Sequence, residues 1–90
     1  MIRERRPAED DATLALRALA HIAGDYDLGP RLLEMTGMDA ASLRARAGEP
    51  AVLAAVLNFL TAHEPSLIEV AEALDVPPQR LADAAMRLDT

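Results

Sequence analysis

Two stretches of the chain, around Gly37 and Asp75, repeat one pattern of apolar and turn residues, and this pattern constrains the fold most strongly. In each stretch an apolar helix end precedes the turn residue, an apolar residue follows it, and a leucine comes five residues later. Corresponding positions are 38 residues apart in every case. A helical hairpin needs a turn residue that tolerates left-handed backbone and an apolar residue where the second helix returns to the first. We therefore expect Leu43 and Leu81 to hold equivalent buried positions.

Capping and stop residues divide the chain into about six short helices. Asp27 is expected to cap the second helix, because a start at Asp25 would place Pro30 in the helix interior. Asp39 is expected to cap the third helix. No segment alternates with the period of two that a strand requires. The predicted helices span residues 8–23, 28–36, 40–47, 49–62, 66–74 and 77–88.

These features predict an all-α fold, a compact bundle forming a single helical domain over residues 8–90. Residues 1–7 are a short basic arm, predicted to be flexible. Residues 8–47 and 50–88 could be two pseudo-repeated three-helix units with helix-turn-helix-like hairpins. The alternative to a duplication is that the two halves are similar only because any two capped helical hairpins look alike.

Helical periodicity predicts which residues form the core. The apolar residues of the fourth helix cover nearly half of its circumference, so this helix is expected to be central. In the fifth helix, Leu67, Ile68 and Val70 are expected to face inward. Two apolar residues, Leu14 and Met86, fall on the polar sides of their helices. The predicted apolar stripe of the first helix consists of Ala12, Leu16, Leu19, Ala20 and Ala23, widened by Ala15 and Ile22.

Composition excludes several classes of protein. The chain has 90 residues, a net charge of −6 and no cysteine, which excludes disulfides and cysteine-ligated metal. The first seven residues carry a charge of +2, so the remaining body carries −8. No signal peptide or membrane-spanning segment is apparent, and we expect a cytoplasmic protein.

Few residues offer chemistry. His21 and Asp25 are spaced i, i+4 and could face one metal ion, but two ligands are too few for a site. His63, near Glu64 and Ser66, is expected to cap a helix end rather than to catalyse. The sequence therefore predicts no enzyme activity, no cofactor, no metal and no small-molecule substrate.

DNA binding is the alternative function. The hairpin around Asp75 has the apolar spacing of a helix-turn-helix motif, and its second helix offers Gln79, Arg80, Asp83 and Arg87. However, the acidic body repels phosphate, which usually supplies much of the affinity for DNA. Nucleic acid is therefore an unlikely partner.

A longer set of residues over the middle of the chain forms a recognisable pattern. It consists of Gly24, Asp25, Leu28, Arg31, Leu32, Leu33, Thr36, Gly37, Leu43, Arg44, Ala45, Arg46, Ala47, Pro50, Leu53, Val56, Leu57, Phe59, Leu60 and Glu64. This pattern resembles the family of unknown function numbered 3572, small proteins typical of alphaproteobacteria. The resemblance covers residues 12–78 and is most specific over residues 36–60. It implies a compact helical fold and a bacterial cytoplasmic setting, but it carries no activity or site residues.

We expect the chain to act as a non-enzymatic protein-protein interaction or regulatory module, binding a protein partner or forming a homodimer. Leu14 and Met86 have no obvious place in the core, and Tyr26 could lie at the rim of an interface. Aromatic residues and methionine are favoured at such surfaces. The predicted partner-binding residues are thus Leu14, Tyr26 and Met86, although isolated apolar residues are also common on protein surfaces.

Overall fold

A computed structural model of the protein describes residues 10–89, which form six α-helices and no strand. The all-helical prediction is confirmed. The basic arm predicted for residues 1–7 lies outside the described residues. The helices are α1 (Asp11–Ala23), α2 (Leu28–Thr36), α3 (Ala40–Ala45), α4 (Pro50–Thr61), α5 (Glu64–Leu74) and α6 (Pro78–Leu88).

Aspartate side chains cap three of the helix starts. Asp10 accepts a hydrogen bond from the backbone N–H of Thr13 at 2.8 Å, and Asp39 accepts one from Ser42 at 2.7 Å. Each bond satisfies an N–H that has no partner inside the helix. The prediction for Asp39 is confirmed.

Helix α2 begins at Leu28 with Asp27 in the N-cap position, as predicted, but another residue supplies the capping bonds. The Asp27 side chain forms no capping hydrogen bond, whereas Asp25 Oδ1 accepts the N–H groups of both Asp27 and Leu28, at 2.8 and 2.9 Å. The predicted start of α2 is therefore confirmed, and the predicted capping side chain was wrong. Pro30 is tolerated because it is the third residue of α2, where the cost is limited to one missing backbone hydrogen bond.

Both predicted turn residues adopt left-handed backbone. Gly37 has φ +72° at the end of α2, and Asp75 has φ +60° at the end of α5. After Asp75, the N–H of Val76 donates to the carbonyl of Ala71 at 3.0 Å, which satisfies a terminal carbonyl of α5. Leu43 and Leu81 are both buried, as the repeated pattern predicted.

The two halves of the chain nevertheless differ. Helix α6 packs against α1, α4 and α5, whereas the six-residue α3 makes only sparse contacts with other helices. The second helix of one hairpin is thus a core element, and its counterpart is a short surface helix. The structure confirms the turns and the two buried leucines, but it does not confirm a pseudo-repeat of three-helix units.

Helix α4 is the centre of the core, as predicted. It packs against α1, α2, α5 and α6. Phe59, the one phenylalanine of the chain, is among its buried residues. The buried residues of α4 are Val52, Leu53, Ala54, Val56, Leu57, Phe59 and Leu60.

The face that helix α1 presents to the core overlaps the predicted stripe only in part, at Ala15, Leu19 and Ile22. Leu14 is completely buried, while Leu16 is 41% exposed and Ala20 and Ala23 are exposed. Helix α1 packs against α4 and α6. Its inward face therefore carries the small residues Ala15 and Ala18 together with Leu14 and Leu19. The expectation that Leu14 lies outside the core was wrong. Ile68 of α5 was also misplaced, since it is 41% exposed.

Among residues 10–89, no single helix is long and apolar enough to cross a membrane. Helices α4 and α5 reach the required length and composition only as a pair, and the chain bends by 114° between them.

Candidate functional site

An apolar groove of about 450 Å³ lies between α1, α2 and α3 and is open to solvent. This volume falls within the range of about 300–1,000 Å³ that is usual for ligand sites. Its walls come from the side of α1 that the core leaves uncovered and from the facing sides of α2 and α3. The lining residues include Leu16, Leu19, Ala20, Ala23, Pro30, Leu33, Ala40, Leu43, Arg44 and Ala47.

The groove exists because α1 has more apolar surface than the core covers. Leu16, Ala20 and Ala23 belong to the stripe that periodicity assigned to the core, yet they line the groove instead. The predicted stripe extends beyond the buried face of α1, so this helix is apolar over much of its circumference.

Close contact between α1 and α2 fixes one end of the groove. A Cβ atom built on Gly29 would lie 3.2 Å from the carbonyl oxygen of Ile22, which is closer than such atoms normally approach. Glycine therefore lets the start of α2 lie directly against the end of α1. Pro30 follows immediately and contributes its apolar ring to the groove wall.

Arg44 is the charged residue of this lining. It lies in the last turn of α3, and its guanidinium group forms no ion pair or hydrogen bond with any residue between 10 and 89. The chain has a net charge of −6, so Arg44 places a local positive charge beside the apolar groove of an otherwise acidic protein. The groove thus combines apolar walls with a donor suited to a carboxylate.

A second groove, of about 550 Å³, lies between the end of α2 and one side of α4. Met35 at its edge is 64% exposed. Its arginine, Arg46, is already bound to Glu49 at 3.0 Å. This groove therefore has no free charge to select a partner.

The three predicted partner-binding residues lie outside the first groove. Leu14 is completely buried in the core, so it has no exposed surface that a partner could contact. Tyr26, in the turn before α2, is fully exposed, and Met86 on α6 is 70% exposed. Their exposure agrees with the prediction, and their contact with a partner stays a prediction.

The arginines needed for DNA binding are engaged within the protein. Arg80 Nη1 lies 2.8 Å from Asp11 Oδ1, and Arg87 Nε lies 2.7 Å from Asp11 Oδ2. Arg87 lowers the pKa of the Asp11 carboxyl by hydrogen bonding, although partial burial opposes the shift, and Arg80 lowers it further. Both guanidinium groups thus join α6 to the start of α1.

His63 is the N-cap residue of α5, and its Nδ1 lies 2.7 Å from the hydroxyl of Ser66. This contact joins the N-cap residue to the first turn of α5. Because Ser66 is buried, its hydroxyl is inaccessible to a substrate. His63 lines neither of the two grooves.

His21 and Asp25 lie near a third group that the sequence did not reveal. Glu69 of α5 brings its carboxylate to their side, and one ligand atom from each of the three residues lies within 4.8 Å of the others. Glu69 is 44 positions beyond Asp25, so no local spacing rule connects them.

Comparison with known protein families gives a match over nearly the whole chain. Residues 8–90 match a family model described as "Protein of unknown function (DUF3572)". No curated protein and no solved structure matches the chain.

Proposed function

Since the chain belongs to the DUF3572 family, whose description names no activity, we propose from its geometry that it is a non-enzymatic protein-interaction module. Its groove between α1, α2 and α3 receives an amphipathic helix of another protein. The observation that carries this proposal is the open apolar groove with the uncommitted Arg44 in its wall.

The lining selects the chemistry of the partner. Leu16, Leu33 and Ala20 favour apolar side chains, which a helix presents at positions i, i+3 or i+4 and i+7. Arg44 favours an aspartate or glutamate next to those apolar positions, because a guanidinium group binds a carboxylate through paired hydrogen bonds. The partner is therefore an apolar helix face bordered by acid.

A second copy of this chain fits the groove less well. Its own acidic helix face, with Ile68 exposed between Glu64 and Glu72 on α5, lies on another part of the surface. If that face entered the groove of a second copy, each contact would join two different surfaces of the protein. Such head-to-tail contacts extend into open chains unless the rotation between successive copies closes a ring. A different protein satisfies the groove without this consequence.

Selection from a display library of helical peptides about 16 residues long tests the proposal. We expect enriched peptides to carry an apolar i, i+3 or i+4, i+7 pattern with an adjacent acidic residue. On titration, their amide shift perturbations should map to α1, α2 and α3. Absence of enrichment, or perturbations confined to other helices, would overturn the proposal.

Matched variants sharpen the result. Arg44→Glu should shift the selected peptides from acidic to basic residues, and Ala20→Glu should weaken binding at least tenfold by placing a charge in the groove. Met86→Glu changes an exposed apolar residue outside the groove and should leave binding unchanged. Light scattering of the free protein should show a monomer; a concentration-dependent dimer that protects the groove would replace the proposed partner with a second copy.

A further inference from the structure

The side-chain cluster of His21, Asp25 and Glu69 joins three parts of the fold. His21 lies in the last turn of α1, Asp25 in the turn that follows, and Glu69 in the middle of α5. One ring nitrogen of His21 and one oxygen of each carboxylate lie within 4.8 Å of one another. His21 and Asp25 are half-buried, and Glu69 is exposed, so the cluster is open to solvent on one side.

His21 has an unsatisfied nitrogen. Its Nε2 is buried and has no hydrogen-bond partner among residues 10–89. A buried polar atom without a partner is costly, and native structures contain few of them. A neutral imidazole carries its proton on one nitrogen and keeps a lone pair on the other, so the His21 ring has one nitrogen to offer a metal ion.

Asp25 is held in position by its capping role. Its Oδ1 accepts the N–H groups of Asp27 and Leu28, and these two bonds orient the carboxylate. The hydrogen bonds from Leu28 and then from Asp27 lower the pKa of this carboxyl. Outer hydrogen bonds of this kind orient metal ligands in proteins.

We propose that His21, Asp25 and Glu69 bind a divalent first-row transition-metal ion. One imidazole and two carboxylates form a mixed nitrogen and oxygen donor set, which suits ions such as Zn²⁺. The three ligands leave the remaining coordination positions to water. This site involves other residues than the groove and is independent of the proposed partner binding.

Calorimetric titration of the full, tag-free chain with Zn²⁺ at pH 7 tests the site. We expect saturable binding of one ion per chain, perturbation of the His21 ring signals in NMR spectra, and a higher melting temperature, because a ligand of the native state stabilises it. No saturable binding would overturn the proposal.

Two pairs of variants separate this site from adventitious binding. His21→Ala should lower the affinity for Zn²⁺ at least tenfold, whereas His63→Ala changes the other histidine and should leave the affinity within about twofold. Glu69→Gln should weaken binding similarly, and Glu72→Gln on the same helix should not. The proposal would also be contradicted if His21→Ala bound Zn²⁺ as tightly as the parent protein, or if His63→Ala lost as much affinity as His21→Ala. Asp25 is left unchanged because its substitution would remove the cap of α2.

Discussion

Leu14 and Leu16 lie two positions apart on α1 but have opposite environments. Leu14 is enclosed by the core, and Leu16 is 41% exposed in the wall of the groove. Two positions correspond to about 200° around a helix, so burial of one face turns the other outward. The difference therefore depends on how α4 and α6 orient α1, since the two residues are chemically identical.

Truncation of the two leucines should measure this difference. Leu14→Ala is expected to lower the free energy of unfolding by about 3 kcal/mol, because it removes a buried side chain and leaves a cavity. Leu16→Ala removes the same atoms from a partly exposed position and should cost less than about 1 kcal/mol. Urea denaturation of both variants is the measurement, and equal losses would contradict the orientation of α1.

At the scale of the element, the ends of α2 and α5 are fixed by backbone conformation. Gly37 and Asp75 reach left-handed backbone by different means, since glycine lacks the Cβ that opposes it and aspartate is one of the side chains that tolerate it. Gly48, after α3, has no positive φ and equally open surroundings. The two glycines thus differ in backbone conformation and not in available space.

Alanine should affect stability differently at these two glycines. Gly37→Ala is expected to destabilise the protein by about 1 kcal/mol, because a Cβ is strained at φ +72°. Gly48→Ala should be neutral or stabilising by up to about 1 kcal/mol, since it restricts the unfolded chain without strain. Thermal melts followed by circular dichroism distinguish these outcomes. A stable Gly37→Ala variant would show that the turn does not need its left-handed residue.

At the scale of the whole molecule, Asp11 connects the beginning of the described chain to its end. Its carboxylate binds Arg80 and Arg87 of α6, and its side chain is 20% exposed. Because the pKa of Asp11 is lowered in the folded state, its stabilisation is complete above the unfolded pKa near 4 and is lost as the pH falls through the folded pKa.

Asp11→Asn should therefore lower the free energy of unfolding at neutral pH and make that free energy less sensitive to acid. We expect a loss of about 1 kcal/mol at pH 7, a value reduced for the solvent exposure of the arginines. The difference from the parent protein should shrink as the pH falls from about 5 to 2. Urea denaturation across this range is the measurement. Glu34→Gln neutralises an exposed carboxylate on α2 and should change stability by less than about 0.5 kcal/mol; a constant difference at all pH values would contradict the role of the Asp11 charge.

Local signals predicted most of the helices and some of their ends. The aspartate cap of α3, the turns at Gly37 and Asp75 and the central position of α4 follow from residues within one or two helical turns. The bounds of α2 also follow from local signals, but its capping side chain does not, because Asp25 and Asp27 can both cap and the geometry of the turn selects Asp25.

An all-helical chain, its turn chemistry and its apolar central helix thus follow from the order of residues alone, because these features depend on contacts between near neighbours. Helix packing fixes which face of α1 enters the core, that Asp11 binds α6, and that Glu69 lies beside His21 and Asp25. An apolar helix surface can pack in more than one orientation, and residues far apart in the chain meet only through packing. The groove is a consequence of that packing, since its α1 wall consists of apolar residues that periodicity alone assigns to the core.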